Sequence, residues 1–182
     1  MIRKQLRPTD VKRLNRTWRR STEHRLALIL ESVTGPFNVG SIFRSAAAFG
    51  ADQIWLAGNS TPPTNPKAGK TALGTDRLVP WKDGLTAVQA VQEARADGYT
   101  VLAVELTGEA RPLFRADLAR DVCLVVGSED HGCSPALLEA ADGEIYIPQV
   151  GKVGSFNVAV AAAIALAETR RQEWQTLSPE GL

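Results

Sequence analysis

The sequence predicts an α/β domain built on a mostly parallel sheet with helices on both faces. Three observations carry this reading. Five short apolar runs have strand length: Leu26–Leu30, Ile54–Ala57, Tyr99–Val104, Val122–Val126 and Ile145–Ile147. Stretches with helical spacing separate them. The 182 residues, 44% hydrophobic, suit one domain that buries about 70% of its unfolded surface.

Taken in order, Thr9 and Asp10 are placed to cap a helix running to about Arg20, with Val11, Leu14 and Trp18 as an apolar stripe at spacings of three and four. That stripe needs a partner surface. LALIL, from Leu26 to Leu30, is a continuous apolar run of the kind buried on both faces. Gly35 and Pro36 then mark a loop, and a helix is expected from about Asn38 to Phe49, closed by Gly50. Asn38 and Arg44 are six apart, so on one continuous helix they diverge; they share a site only if Asn38 belongs to the loop or cap.

After the Ile54–Ala57 strand, residues 58–77 read as a long Pro-, Gly- and Thr-rich loop, a length that is usually functional. Its AGKT segment is similar to the end of a phosphate-binding loop. However, Thr64 stands where that motif requires its first glycine, and no strand leads in. Leu85–Ala96 is an amphipathic helix ending before Gly98, and Pro135–Ala141 a short helix with proline in its first turn.

The chain is organised around Ile145–Glu168. A strand ends at Pro148, a glycine-bracketed loop spans Gln149 to Gly154, and Ser155 caps a long helix of small residues that contains Asn157. Unpaired N–H groups at a helix start favour ligand groups of partial negative charge. Ligands of parallel sheets bind beyond the carboxyl ends of the strands. Residues 31–38, 105–108, 127–132 and 148–155 should therefore converge on one rim. The tail after Trp174 lacks periodicity and is expected to fray, giving a basic helical extension (1–25), a main domain (26–174) and a tail (175–182).

Charge is uneven. Nine cations against Asp10 and Glu23 give residues 1–25 a net +7, leaving −6 for the rest. Such asymmetry points to a polyanion. Arg13, Arg16, Arg19 and Arg20, with Lys67 and Lys70, are the candidate RNA contacts, and Trp18 offers a stacking surface. Cys123 reads as a core thiol and Cys133 as an incidental one, rather than a disulfide pair. With His24 and His131 the only histidines, a metal site has too few ligands and none is expected. No apolar run has membrane-spanning or signal-peptide character, so a cytoplasmic protein is expected.

Three ordered stretches carry a more specific signal. NVGSIFRSAAAFG holds Asn38, Gly40 and Arg44; LVVGSEDHGCSPALLEAAD holds Gly127, Ser128 and Glu129; IYIPQVGKVGSFNVAVAAAIALAE holds Pro148, Gly151, Ser155 and Asn157. Together they resemble the SpoU, or TrmH-like, branch of the SPOUT RNA methyltransferases. The similarity covers roughly residues 26–170. Gln149, where relatives often have Met, and Phe156, where they often have Leu or Met, depart from the pattern.

The resemblance implies a carboxyl-terminal deep trefoil knot, a homodimer, S-adenosylmethionine as methyl donor with S-adenosylhomocysteine as product, and methylation of a ribose 2′-hydroxyl. A tRNA guanosine in the D-loop is the leading substrate. The alternatives are an rRNA, including the antibiotic-resistance type, and a catalytically silent RNA-binding protein. The implied catalytic residues are Asn38, Arg44, Glu129, Ser155 and Asn157. Arginine is too weak an acid to be an easy base, so Arg44 is expected to stabilise the forming alkoxide, held by Glu129 in a bidentate pair. The implied donor site comprises Glu105, Leu106, Thr107, Val126, Gly127, Ser128, Ile147, Pro148, Val150, Gly151 and Phe156.

Overall fold

Every residue of β1 (Leu26–Glu31) is buried. The reason is its position: in the computed structural model, which describes residues 4–175, it runs between two parallel neighbours with helices on either face. Those neighbours are β2 (Gln53–Ala57) and β6 (Val122–Val126). Outward on one side lies β3 (Trp81–Leu85); outward on the other lie β4 (Thr100–Val104), β7 (Gly143–Tyr146) and the two-residue β5 (Arg111–Pro112). The order is β3-β2-β1-β6-β4-β7-β5, and every pairing is parallel.

Side chains alternate across the sheet. Leu26, Leu28 and Leu30 join Ile54, Leu56 and Leu124 under α2 (Pro36–Ala48) and α6 (Val158–Gln175). Ala27 and Ile29 join Trp55, Val101 and Val125 under α4 (Ala87–Ala96) and α5 (Pro135–Ala140). The five predicted strands are present, and the α/β layering is as expected.

Several boundaries differ, each for a physical reason. The first helix, α1 (Pro8–Arg20), begins at a proline rather than being capped by Thr9 or Asp10; Asp10 instead accepts a 2.9 Å hydrogen bond from Arg7 Nε. Val11 and Leu14 remain exposed, while Trp18 packs on Trp174 with ring centroids 4.7 Å apart. Trp18 is therefore already engaged and is not a free stacking surface. α2 starts at Pro36, which places Asn38 inside the helix rather than before it.

Residues 58–77 are not a structureless loop. They contain α3 (Pro66–Ala72), capped by Asn65, whose side chain accepts from the Lys67 amide at 3.0 Å, and a short 3-10 turn at Thr75–Arg77. AGKT lies along α3, so its backbone cannot cradle a phosphate. A Cβ on Gly40 would meet the Ala68 carbonyl oxygen at 2.5 Å, so this glycine serves the close packing of α2 on α3. Cys133 is buried like Cys123, and both are free thiols.

The far end of α6 is stitched to the start of the sheet. Arg170, 2% exposed, donates to the carbonyls of Phe49 (2.9 Å), Gly50 (3.1 Å) and His24 (2.8 Å) and pairs with Glu173 at 2.7 Å. Glu173 accepts the amides of Glu23 (2.6 Å) and His24 (2.8 Å). One helix thus fastens the end of α2 and the approach to β1. Of the predicted tail, residues 176–182 lie outside the described residues, as does Arg3 among the amino-terminal cations.

Candidate functional site

The carboxyl ends of β4, β6 and β7 open into a cleft of about 480 Å³, closed on one side by residues 154–158 and by Ala161 of α6. Parallel strands deliver their loops to the same edge; of the segments expected to converge there, residues 105–106, 127–132 and, from 148–155, Gln149, Gly154 and Ser155 line the cleft, whereas 31–38 and 107–108 do not.

Its floor is a glycine hairpin. The Ser128 and Gly132 backbones exchange two 3.0 Å hydrogen bonds. A Cβ on Gly127 would lie 2.1 Å from the Gly132 carbonyl carbon, and Gly132 adopts φ +67 with Glu105 Oε2 pressed against it, 2.2 Å from where its own Cβ would be. Only glycine fits either position. Glu105 holds this turn in place, accepting the Cys133 amide at 2.9 Å and the Leu106 amide at 3.0 Å. Glu31, buried at the end of β1, accepts the Ser134 amide at 2.8 Å and hydroxyl at 2.5 Å.

A second network crosses the rim. Glu129 accepts the amides of Thr34 (3.2 Å) and Gly35 (2.9 Å) and the Asn38 side-chain amide (2.9 Å). Burial alone would raise the Glu129 pKa. The hydrogen bonds from Asn38 and from the Gly35 and Thr34 amides outweigh it and hold the carboxyl below its usual range. Asn38 Oδ1 accepts from Asn157 Nδ2 at 3.0 Å, and Asn157 Oδ1 accepts the amides of Ala159 (3.0 Å) and Val160 (3.3 Å). Asn157 is therefore the cap of α6, not a residue inside it. Ser155, expected in that role, is exposed on the preceding loop and lines the cleft.

Three of the five candidate catalytic residues, Asn38, Glu129 and Asn157, thus form one hydrogen-bonded chain, with Ser155 at the cleft beside it. Arg44 does not join them. Six residues along α2 place it about 120° round the helix from Asn38. It is exposed and has no hydrogen-bond or ion-pair partner among the described residues. The expected Glu129–Arg44 pair is absent because Glu129 is committed to the start of α2.

Of the expected donor-binding residues, Glu105, Leu106, Val126, Gly127, Ser128, Ile147 and Phe156 line the cleft. Pro148, Val150 and Gly151 do not, because the loop turns outward and leaves Val150 fully exposed. Thr107 is also displaced from it, its hydroxyl donating to Glu144. Tyr146, His131 and Gln149 also line the cleft; none was among the individually expected donor-binding residues, although His131 and Gln149 lie within the strand-end segments expected to converge there. Gln149 was visible as a departure at the end of a strand, and the strand-end rule was the signal that could have marked it. Its Oε1 is buried with no donor among the described residues.

The candidate RNA contacts Arg13, Arg16, Arg19 and Arg20 on α1 and Lys67 and Lys70 on α3 are all exposed. Among the described residues, no group of three or more His, Cys, Asp and Glu is positioned to hold a metal, and no helix is long and apolar enough to cross a membrane.

Residues 25–167 match the model of the SpoU rRNA Methylase family. An uncharacterized tRNA/rRNA methyltransferase of Synechocystis is 33% identical over 91% of the chain and 61% of its own length. The tRNA (guanosine(18)-2′-O)-methyltransferase of Escherichia coli is 32% identical over 81% of the chain and 63% of its own length. Among solved structures, the SpoU methyltransferase AviRb from Streptomyces viridochromogenes in complex with AdoMet superposes with a TM-score of 0.76, at 29% identity, over 84% of this chain and 62% of that one. The chain spans less than two thirds of the length of these relatives.

Proposed function

The chain belongs to the SpoU rRNA Methylase family, and on that premise we propose that it is an S-adenosylmethionine-dependent RNA methyltransferase acting on a ribose 2′-hydroxyl. The observation that carries the proposal is the cleft at the carboxyl ends of β4, β6 and β7 with the Glu129–Asn38–Asn157 chain along its rim. The residues present suit the methyl donor. Leu106 and Phe156 offer apolar surface, the Gly127–Gly132 turn permits close backbone approach, and Gln149 presents a buried acceptor that no donor among the described residues answers.

When bound, S-adenosylmethionine supplies an electrophilic methyl group on a sulfonium. The chain's own residues have then to hold the hydroxyl in line and favour loss of its proton. Asn38, Asn157 and Ser155 carry neutral donors and acceptors at the rim, suited to orienting ribose and phosphate. Arg44 is assigned to the forming alkoxide as a fixed positive charge.

Since Arg44 faces away from the cleft of its own copy, the reading includes a homodimer in which the second copy supplies it. The support is an apolar groove of about 550 Å³ between α2 and α6, lined by Phe37, Phe49, Val160, Ala163, Ile164 and Ala167. Small residues there let a second helix pair approach closely, Phe37 and Val160 stay exposed, and Asn157, hydrogen-bonded to Asn38 of the groove, borders both groove and cleft. The reading also carries the threaded carboxyl-terminal segment, RNA contacts on α1 and α3, and a cytoplasmic location.

The finer substrate is a tRNA guanosine, in keeping with the similarity to the Escherichia coli enzyme; the family's rRNA description supports the alternative. Transfer of labelled methyl to purified tRNA and rRNA, followed by mass spectrometry of the digested product, tests both. A 2′-O-methylguanosine in tRNA is the expected result. Incorporation confined to rRNA would select the alternative. No incorporation into either by a folded dimer would overturn the enzyme reading.

A further inference from the structure

We infer that Gln149 reads the Hoogsteen edge of the adenine of the bound donor, making it a specificity residue for the nucleobase. The inference rests on the donor-binding reading of the cleft given above.

Gln149 follows β7 by three residues. Its neighbours from Val150 to Asn157 are exposed, yet its side chain lines the cleft and its Oε1 is buried. The backbone loop turns outward while this one carboxamide turns inward. A buried acceptor without a donor is costly unless something that binds there supplies one.

The two glutamates of the cleft are answered. Glu105 is taken up by the Cys133 and Leu106 amides, and Glu129 by the Gly35 and Thr34 amides and Asn38. Gln149 Oε1 is the one buried side-chain acceptor left over among the described residues.

The chemistry of the carboxamide selects the moiety. An ammonium is drawn to carboxylates, of which this cleft has three, Glu105, Glu129 and Asp130. A carboxamide presents a carbonyl and an NH₂ side by side. That is the complement of adenine, whose exocyclic N6–H donates beside a ring nitrogen that accepts. Ile147, Leu106 and Phe156 line the same cleft and supply apolar surface for the faces of a planar base. The assignment makes Gln149 a donor-contacting residue with no part in the proton or methyl chemistry.

The test is calorimetric binding to the 182-residue chain, with S-adenosylhomocysteine and S-inosylhomocysteine as probes. The inosine analogue has oxygen in place of the exocyclic amine, so its O6 and N7 present two adjacent acceptors that neither orientation of the Gln149 carboxamide can both answer. The wild-type chain should bind S-adenosylhomocysteine at least about tenfold more tightly than the inosine analogue, about 1.4 kcal/mol. Gln149→Leu should bind S-adenosylhomocysteine about tenfold more weakly and lose most of that discrimination. Gln149→Met, of similar shape, should behave in the same way and guards against a folding defect in the leucine variant.

Wild-type discrimination retained in both variants, or unchanged affinity for S-adenosylhomocysteine, overturns the assignment while leaving the transferase reading intact. A wild-type chain that binds neither probe overturns both.

Discussion

Glu129 illustrates how a motif residue changes meaning once its neighbours are known. Its carboxylate accepts two backbone amides and a side-chain amide from the first turn of α2 and the loop before it. It acts as a cap supplied from a distance. Its folded pKa lies below the ordinary value, so its contribution to stability is present above the usual glutamate range and is lost as pH falls through it. The group is largely exposed, so the effect is modest. Glu129→Gln should lower stability by about 1 kcal/mol at neutral pH, the usual scale of a lost cap. The wild-type and variant urea midpoints should converge as the pH falls from the usual glutamate range through the lowered pKa of the folded Glu129 carboxyl. A gap that widened on acidification would contradict this role.

Arg170 is the residue that sequence reasoning had least chance of finding. In the sequence it sits among Thr169, Arg171 and Gln172 and reads as part of a solvated helix end; in the fold it is buried against three carbonyls and Glu173. Arg170→Met removes the charge and leaves the carbonyls of Phe49, Gly50 and His24 without their donor. The expected loss is about 3–5 kcal/mol, the range for breaking a buried pair. Arg171→Met, at a position four-tenths or more exposed and paired among the described residues only with Glu168, should cost under about 1 kcal/mol. Equilibrium denaturation of the two variants separates a buried staple from a surface pair.

At the scale of elements, legibility followed hydrophobic content. β1 and β6 lie at the centre of the sheet and are apolar throughout, so their extents were readable within a residue. β3 was not, because WKDGL is an edge strand whose middle residues face solvent and carry no alternation. α3 was hidden inside a Pro- and Gly-rich stretch, where turn-forming residues mask a seven-residue helix held mainly by packing on α2. The start of α6 was misplaced because Ser155 and Asn157 are both good caps by residue type. Only the coordinates show that the Asn157 oxygen meets the Ala159 and Val160 amides.

Those two residues therefore make a discriminating pair. Asn157→Ala should cost about 1 kcal/mol or somewhat more, since it removes the cap and the bond to Asn38 together. Ser155→Ala should leave stability within about 0.5 kcal/mol of wild type, as expected for a surface change that breaks no cap. If Ser155→Ala reduces methyl transfer without moving the denaturation midpoint, its role is toward the substrate. The reverse result would restore it as the structural cap.

At the scale of the whole molecule, the sequence motifs located the right edge of the sheet but not the full site. Motif spacing is one-dimensional, and it cannot register that Arg44 lies on a different face of α2 from Asn38. A single copy brings together Asn38, Glu129, Ser155 and Asn157 and leaves the cation outside. The α2–α6 groove that adjoins this rim then suggests a test of where the cation comes from. Arg44→Ala keeps an intact cleft, whereas Phe156→Arg blocks the cleft from an exposed loop position and keeps Arg44. Each homodimer should be inactive. If Arg44 acts across a two-fold contact, each mixed dimer holds one complete site, and statistical mixing of the two variants restores about a quarter of wild-type activity. If Arg44 acts on its own cleft, no site in any mixture is complete and activity stays at the background of the separate variants. Co-expression with two affinity tags isolates the mixed dimer and gives the measurement directly.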